Sequence, residues 1–139
     1  MNTYLAPSFS FDGNAKEVME FYQSIFGGKL DVNLMKDTPM PHDDSNKDLV
    51  VHAQLTTDHF TLMGSDASCS NSPTPTVGDN IQLSVVGSDR EKLSGYFNAL
   101  KEGGKVLMPL EKQFWGDVFG ACIDKYGINW AVNIAEEKK

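Results

Sequence analysis

The chain has 139 residues and a mass of 15.3 kDa, the size of one compact domain or of two small halves that share a core. Its 19 acidic residues outnumber 12 basic ones, and the net charge of −7 argues against a nucleic acid or an anionic membrane as the partner. No apolar run approaches the roughly 20 residues that span a bilayer, and the first residues lack the basic segment and apolar core of a signal peptide, so we expect a cytoplasmic protein.

The first half begins with a strand predicted over residues 4–11, because apolar and small polar residues alternate there. Helical spacing of apolar residues predicts a helix over residues 15–26, with Asn14 and Glu17 as its capping pair and a pair of glycines at its end. The other predicted elements of this half are a strand over 29–35, an acidic loop over 36–47, and the hairpin strands 49–56 and 59–63.

A connector rich in Ser, Pro and Asn occupies residues 65–79, and the second half repeats the same order after it. The first strand is predicted to start at Asn80, and Ser88 with Glu91 is the predicted capping pair of the helix. The remaining predictions are a strand over 105–108 that ends at Pro109, a loop with Phe114 and Trp115, and the hairpin strands 118–123 and 128–134.

A Gly-Gly pair follows each predicted helix, as Gly27-Gly28 and as Gly103-Gly104. Its recurrence at the same point in two runs of strand, helix, strand, strand and strand indicates an internal duplication. We therefore predict an α+β fold in which residues 1–139 form a single domain of two βαβββ modules. Module 1 covers about residues 1–66 and module 2 about residues 79–139, and each is too small to be comfortably stable alone.

Alternation along the strands separates an apolar face, which the helix of each module covers, from a polar face. If the modules curve toward each other, the polar faces line one shared cleft. The strand positions on the polar faces carry hydroxyls, amides and one His, whereas a face that only contacts solvent usually carries Lys and Glu. We therefore favour the interpretation that the polar faces bind a ligand over the interpretation that they are simply exposed to solvent. Aromatic side chains form either a ligand wall or part of the core. The predicted ligand-binding residues are Ser8, Ser10, His52, Gln54, Phe60, Gln82, Ser84, Trp115, Asn129 and Asn133.

Several short motifs are distributed along nearly the whole chain. They are Phe11-Asp12-Gly13-Asn14-Ala15, Phe26-Gly27-Gly28, Gly64-Ser65-Asp66, Phe114-Trp115-Gly116 and Tyr126-Gly127, with Trp130 and Asn133 after them. Their combination resembles PhnB-like proteins of the vicinal oxygen chelate superfamily, which includes glyoxalases, bleomycin-resistance proteins and dioxygenases. The resemblance implies paired βαβββ modules, a cupped mixed sheet and, commonly, a homodimer.

Proteins with this resemblance are also described as 3-demethylubiquinone 3-methyltransferases. The residues give that description no support, because S-adenosylmethionine enzymes of the common type need a glycine-rich turn from strand to helix in an alternating parallel sheet. Here the glycine pairs end the helices instead of opening them.

Metal-dependent members of the superfamily place His, Gln or Glu ligands on the first and last strands of each module. The resemblance puts these positions near Ala6, Leu62, Asn80 and Ala131, give or take one or two residues, and none of these four is a usual metal ligand. We therefore predict no cofactor and no metal at the usual site. A displaced metal site that joins His52 to Glu111 or Asp124 stays open as an alternative, whereas His42 in the acidic loop and His59 near a turn are expected to be solvated.

The two cysteines do not form a disulfide framework or a CxxC site. Cys122 lies in an apolar run and is expected in the core, and Cys69 lies in the connector with no His and carboxylate beside it. The candidates for acid–base chemistry are His52 and Glu111.

Our first hypothesis is a homodimer that binds an unidentified small molecule without the usual metal. The alternatives are a metal-dependent lyase, isomerase or dioxygenase with displaced ligands, and a resistance protein that sequesters an antibiotic. A cationic antibiotic such as bleomycin favours an acidic cleft, which the predicted lining lacks.

Overall fold

A four-stranded mixed sheet with one helix packed on one face is the architecture of both units into which the chain divides, Met1–Thr76 (unit 1) and Val77–Lys139 (unit 2). The computed structural model describes residues 3–39, 41–67, 75, 78 and 80–135. Each unit has the order strand, helix, strand, strand, strand, which confirms the predicted α+β class. Both helices have 12 residues, and no helix in the described part of the chain is long and apolar enough to cross a bilayer.

Unit 1 contains β1 (Ser8–Phe11), α1 (Ala15–Phe26), β2 (Lys29–Leu34), β3 (Val50–Thr56) and β4 (Thr61–Asp66), with a short 3₁₀ turn at Met35–Asp37. The spatial order is β1-β4-β3-β2, in which β1 runs parallel to β4 and the other pairs are antiparallel.

The core of unit 1 lies between α1 and the sheet. Val18, Met19 and Tyr22 of the helix are fully buried, as the helical spacing predicted. Gly64 of β4 lies beneath them, where a Cβ would be 3.2 Å from Met19 and 3.1 Å from Phe11. The side chains next to Gly64 along β4 therefore point away from the helix.

Unit 2 contains β5 (Leu83–Gly87), α2 (Arg90–Lys101), β6 (Lys105–Lys112), β7 (Val118–Ile123) and β8 (Asn129–Ile134), in the spatial order β5-β8-β7-β6. Its topology repeats that of unit 1, with β5 parallel to β8. Leu93, Phe97 and Leu100 of α2 are buried, and so are Trp130 and Val132 of β8.

The predicted capping pairs are wrong at both helices. Asn14 makes no side-chain cap hydrogen bond, and Oδ1 of Asp66 instead accepts a hydrogen bond of 3.0 Å from the Ala15 N–H. At α2 the cap is Asp89, one residue after the predicted Ser88, and its Oδ1 accepts from the Lys92 N–H at 3.1 Å. A local capping pattern does not detect Asp66, because that carboxylate comes from another strand.

Several strand boundaries also differ from the prediction, and β4 covers Thr61–Asp66 instead of 59–63, so that it extends into the predicted connector. β1 starts at Ser8 and β5 at Leu83, later than alternation predicted. β6 continues through Pro109 to Lys112, whereas the sequence predicted its end at that proline. The missing N–H is tolerated because β6 is an edge strand and its register with β7 shifts between Met108 and Glu111.

The second glycine of each pair lies against the backbone of a neighbouring strand. A Cβ on Gly28 would overlap the carbonyl oxygen of Thr56, and a Cβ on Gly104 would overlap that of Ile123. The first contact joins the start of β2 to the end of β3, and the second joins the start of β6 to the end of β7. The duplication inferred from the glycine pairs therefore has the same steric basis in both units.

The residues that follow β3 and β7 each close a turn with their side chain. Thr57 Oγ1 accepts hydrogen bonds from the N–H groups of His59 and Phe60. At the equivalent position, Oδ1 of the buried Asp124 accepts from Tyr126 and Ile128. A hydroxyl group closes the turn in unit 1, and a carboxylate closes the equivalent turn in unit 2.

We expect the substitution Gly104→Ala to lower the free energy of unfolding by about 3 kcal/mol, because the new methyl group must displace backbone. The control is Gly95→Ala in α2, where nothing lies within 4 Å of the new Cβ. Alanine should stabilise that helix position by about 0.5–1 kcal/mol. Urea unfolding measures both, and equal effects of the two substitutions would contradict the steric reading.

A second prediction concerns Asp66, whose Oδ1 accepts from Ala15 and whose Oδ2 accepts from the Val50 N–H at 2.8 Å. In Asp66→Asn one of these buried N–H groups faces an NH₂ group, so we expect a loss of about 2 kcal/mol. Asp58→Asn, at an exposed turn position, should change stability by less than about 0.5 kcal/mol. Thermal unfolding compares the two variants, and a wild-type melting temperature for Asp66→Asn would refute the bridging role.

Candidate functional site

The sheet of unit 1 has one face turned away from α1, and we call it the unit 1 open face. Ser8 of β1 pairs with Met63 of β4, and Met63 pairs with Gln54 of β3. Gln54 pairs in turn with Asp31 of β2, so one row of side chains crosses all four strands. The face comprises Ser8, Ser10, Lys29, Asp31, Asn33, His52, Gln54, Thr56, Thr61, Met63 and Ser65.

Hydroxyl and amide groups dominate the unit 1 open face. Ser8, Ser10 and His52 are exposed, and Gln54 is half-buried with its Nε2 donating to Thr56 Oγ1 at 3.3 Å. The charged residues lie on the edge strand β2, where Lys29 Nζ and Asp31 Oδ1 form an exposed ion pair of 3.9 Å. The remaining open face carries groups that donate and accept hydrogen bonds without a formal charge.

The sheet of unit 2 also has a face turned away from its helix, which we call the unit 2 open face. A Cβ on Gly87 would lie 3.2 Å from Leu93, and one on Gly120 would lie 3.1 Å from Phe97. Both glycines therefore face α2, and their strand neighbours face away from it. The face comprises Ser84, Val86, Lys105, Met108, Glu111, Phe119, Ala121, Ile123, Asn129, Ala131 and Asn133.

This second face is more apolar than the alternation of the sequence suggested. Ser84, Asn129 and Asn133 are on it, but β7 contributes only apolar side chains, and Ala121 of β7 and Ala131 of β8 are buried. Gln82 is exposed and precedes β5, so it lies outside the strand. Asn129 is buried and its Nδ2 donates to the Gly78 carbonyl oxygen at 3.4 Å.

A hairpin tip between β6 and β7 adds aromatic rings beside this face. The Trp115 ring centroid is 6.1 Å from that of Phe119, and Phe114 packs edge-on against Trp115 at 4.8 Å. Asp117 Oδ2 accepts a hydrogen bond of 3.0 Å from Asn133 Nδ2, which ties the tip to β8. No pattern in the sequence indicated Asp117, because its partner lies on another strand.

Phe60 occupies a different environment from the other predicted ligand-binding residues. Its ring contacts Phe26 of α1 edge-on, with centroids 5.2 Å apart. Phe26 in turn packs against the buried Tyr22. The contact puts Phe60 with the aromatic side chains of α1, which agrees with the core alternative.

The positions near which the resemblance places metal ligands fall on different parts of the fold. Leu62 is buried with the α1 side of the sheet, and its neighbour Met63 lies on the unit 1 open face. Ala131 lies on the unit 2 open face, whereas Ala6 and Asn80 precede β1 and β5. Within the described ranges, no three His, Cys, Asp or Glu side chains are grouped to hold a metal ion.

The side chains of the displaced metal alternative have separate environments. His52 is exposed on unit 1 and Glu111 is exposed on unit 2. Besides the two N–H groups on its Oδ1, Asp124 accepts a hydrogen bond of 2.9 Å on Oδ2 from Trp130 Nε1. Both carboxylate oxygens of Asp124 are thus engaged in closing the β7–β8 turn.

The acidic loop has its own internal bonding around Asp43. This carboxylate accepts hydrogen bonds from the hydroxyl and the N–H of Ser45, and these bonds lower the pKa of Asp43. His42 beside it is exposed, as is His59. Asp43 therefore serves as a turn-forming residue.

Cys122 is 2% exposed in the core of unit 2. Burial raises the pKa of its thiol to about 11, and the nearby Asp124 carboxylate acts in the same direction. The thiol is thus protonated at neutral pH, which fits the predicted core role. Cys69 lies outside the described residues.

We expect the Cys122 thiol to react with a disulfide reagent at pH 8 about 100-fold more slowly in the folded chain than in urea, because only the thiolate reacts. A Cys69→Ser background restricts the assay to Cys122, and the urea-unfolded chain is the control. Raising the pH from about 8.5 toward 11 should also lower the free energy of unfolding, since the unfolded thiol releases its proton first. Equal reaction rates would contradict the burial of this thiol.

Comparisons with known proteins agree with this architecture. A model of the family described as 3-demethylubiquinone-9 3-methyltransferase matches residues 3–133. Protein PA1353 of Pseudomonas aeruginosa is 32% identical and superposes with a TM-score of 0.84, covering 98% of this chain and 100% of that one. The PhnB protein of Bacillus cereus is 26% identical with a TM-score of 0.72, covering 96% and 100% of the two chains.

A more distant structure shares the fold. It is a glyoxalase/bleomycin resistance protein/dioxygenase family enzyme of Burkholderia phytofirmans PsJN, 13% identical, with a TM-score of 0.58 over 93% of this chain and 95% of that one.

Proposed function

We propose that this chain binds small molecules on the open face of each sheet. The chain belongs to the PhnB-like family described as 3-demethylubiquinone-9 3-methyltransferase and has the glyoxalase/bleomycin-resistance fold. The observation that carries the proposal is the row of Ser8, Met63 and Gln54 across unit 1. Neutral side chains with hydrogen-bonding groups, next to a polarizable thioether, orient a ligand without a counter-charge.

Binding accounts for this arrangement better than acid–base catalysis does. A general acid or base works best when burial or a neighbouring charge tunes it near the operating pH. The two candidates, His52 and Glu111, are both exposed. We therefore propose a binding role without a catalytic residue.

The methyl-transfer description of the family is not what we propose for this chain. One glycine, Gly13, lies in the turn from β1 to α1, and the first N–H of that helix is already bonded to the Asp66 carboxylate. A ligand group at this helix end would compete with Asp66. The glycine pairs come after the helices, where they form close backbone contacts.

We further propose that the ligand binds without a metal ion. The open-face residues closest to the family's metal positions include Met63 and Ala131, and Ser8 is the nearest on β1. Alanine offers no ligand atom, and a serine hydroxyl and a thioether are poor ligands for Zn²⁺ or Fe²⁺.

The proposed assembly is a homodimer in the cytoplasm. The edge strand β6 exposes three consecutive apolar residues, Val106, Leu107 and Met108, at 41%, 46% and 40%. An exposed apolar strand edge is a site at which a second chain packs. The reduced, buried Cys122 thiol fits a reducing compartment.

Native mass spectrometry of protein purified without a metal-binding tag tests these proposals together. We expect the mass of two chains plus a small molecule that is released on denaturation, with no stoichiometric metal. Gln54→Leu should reduce ligand retention about two- to tenfold, the effect of one hydrogen bond. Glu20→Leu on the exposed side of α1 is the control and should retain the ligand.

Three results would count against the proposals. A chain that retains no small molecule from a cell extract overturns the binding role. One metal ion per chain overturns binding without metal, and a monomer at micromolar concentration overturns the assembly.

A further inference from the structure

Phe114 and Trp115 lie in a closed turn at the tip of the hairpin between β6 and β7, and Phe119 of the unit 2 open face lies next to them. We call Phe114, Trp115 and Phe119 the aromatic ledge. The turn is closed by the Gln113 N–H, which donates to the Asp117 carbonyl oxygen at 2.8 Å, and by the Gly116 N–H, which donates to the Gln113 carbonyl oxygen at 3.0 Å.

Although the turn is fixed, the rings remain accessible. Trp115 is 48% exposed and Phe114 is 96% exposed. Exposed aromatic rings held in one orientation offer large contact area at low cost in conformational entropy. The Trp115 and Phe119 rings are inclined by 65° to each other, so a ligand ring that stacks face-on against one of them meets the other with its edge.

Carboxylates flank the aromatic ledge. Glu111 is the cross-strand partner of Phe119, and the Asp117 carboxylate lies at the tip, bonded to Asn133. Among the described residues, the ion pairs all lie in unit 1, so neither of these two carboxylates has a basic partner.

Lys101 of α2 borders a groove that Glu111 also lines, and its Nζ lies 5.9 Å from the Phe97 ring centroid. The lysines of β6 lie at the far end of the face or on the α2 side of the sheet. Lys105 is on the unit 2 open face but pairs with Ile123, at the opposite end of β7 from Phe119. Lys112 pairs with Val118 of β7, and Val118 pairs with Ile134 of β8, which in turn pairs with Gly87. Because Gly87 faces α2, Lys112 lies on the α2 side of the sheet and not on the unit 2 open face. The charged groups that the unit 2 open face itself presents next to the ledge are the carboxylates of Glu111 and Asp117.

We infer that the aromatic ledge binds an aromatic molecule that carries a protonated amine, with its ring on Trp115 and Phe119 and its ammonium group beside Glu111. This inference rests on the proposed small-molecule binding and names the chemical class of the ligand. Ring faces attract cations, and a carboxylate adds a charge-assisted hydrogen bond. An anionic ring compound meets repulsion from both carboxylates.

Three naphthalene probes with the same ring test the inference: naphthylethylamine, naphthylethanol and naphthylacetate, which are cationic, neutral and anionic. Calorimetric titration should show the amine binding about fivefold more tightly than the alcohol, with the acetate weakest. Added salt should reduce the difference between the amine and the acetate.

Two variants and one control locate the site. Glu111→Gln should remove most of the preference for the amine while the alcohol binds as before. Trp115→Ala should weaken all three probes, and a blue shift of the remaining fluorescence should show that only buried Trp130 is left. The control Glu91→Gln changes an exposed carboxylate in the first turn of α2 and should leave the preference intact.

The inference is overturned if the acetate binds as tightly as the amine, if no probe binds, or if Glu111→Gln leaves the preference unchanged. If one of these outcomes is found but the chain still co-purifies with a small molecule whose retention falls in Gln54→Leu, only the proposed ligand class is wrong. If no small molecule is retained either, the proposed binding function fails as well.

Discussion

The close approach of Gly28 to Thr56, and of Gly104 to Ile123, is the constraint on which the rest of each unit depends. Each glycine directly precedes the first residue of a strand, and that residue pairs with the same neighbour, Lys29 with Thr56 and Lys105 with Ile123. The contact thus fixes the register of the second strand against the third. A slip of one residue would exchange the two faces of the strand, so the contact determines which face the first residues of β2 and β6 occupy. Farther along β6, two register shifts place Met108 and Glu111.

The same backbone topology therefore carries two open faces of different composition. Both units place the same elements in the same order, yet the unit 1 open face carries hydroxyls and amides and the unit 2 open face carries apolar and aromatic side chains. The helix ends have diverged too, because α1 is capped by Asp66 from β4 and α2 by its own Asp89. Duplication conserved the steric contacts of the backbone and left the exposed side chains free to differ.

The sequence predicted what depends on local periodicity. The helix over residues 15–26 has the predicted bounds, and the buried residues Val18, Met19 and Tyr22 follow from its spacing. Contacts between distant residues escaped prediction. Asp66 caps a helix that starts 51 residues earlier in the chain, and Asp117 bonds to a residue 16 positions away.

Pro109 and the unit 2 open face show a second kind of limit. A proline predicts the end of a strand only when its N–H is needed, and that depends on whether the strand lies at the edge of the sheet, which is a property of topology. Likewise, the sequence alone does not show which face of the sheet Phe119 occupies. Apolar residues follow one another in β7, so the strand lacks the alternation of polar and apolar residues that would distinguish its two faces. Only the pairing with Asn133 and Glu111 shows which face Phe119 occupies.

The net charge of −7 has a local meaning once the faces are separated. On the unit 1 open face the charged residues Lys29 and Asp31 pair with each other at the edge, so the global charge contributes little to the chemistry offered there. Next to the aromatic ledge, the same excess of acid leaves Glu111 and Asp117 without a basic partner among the described residues. Within a shared fold, such placement of a few carboxylates, more than the total charge, sets which ligands a face attracts.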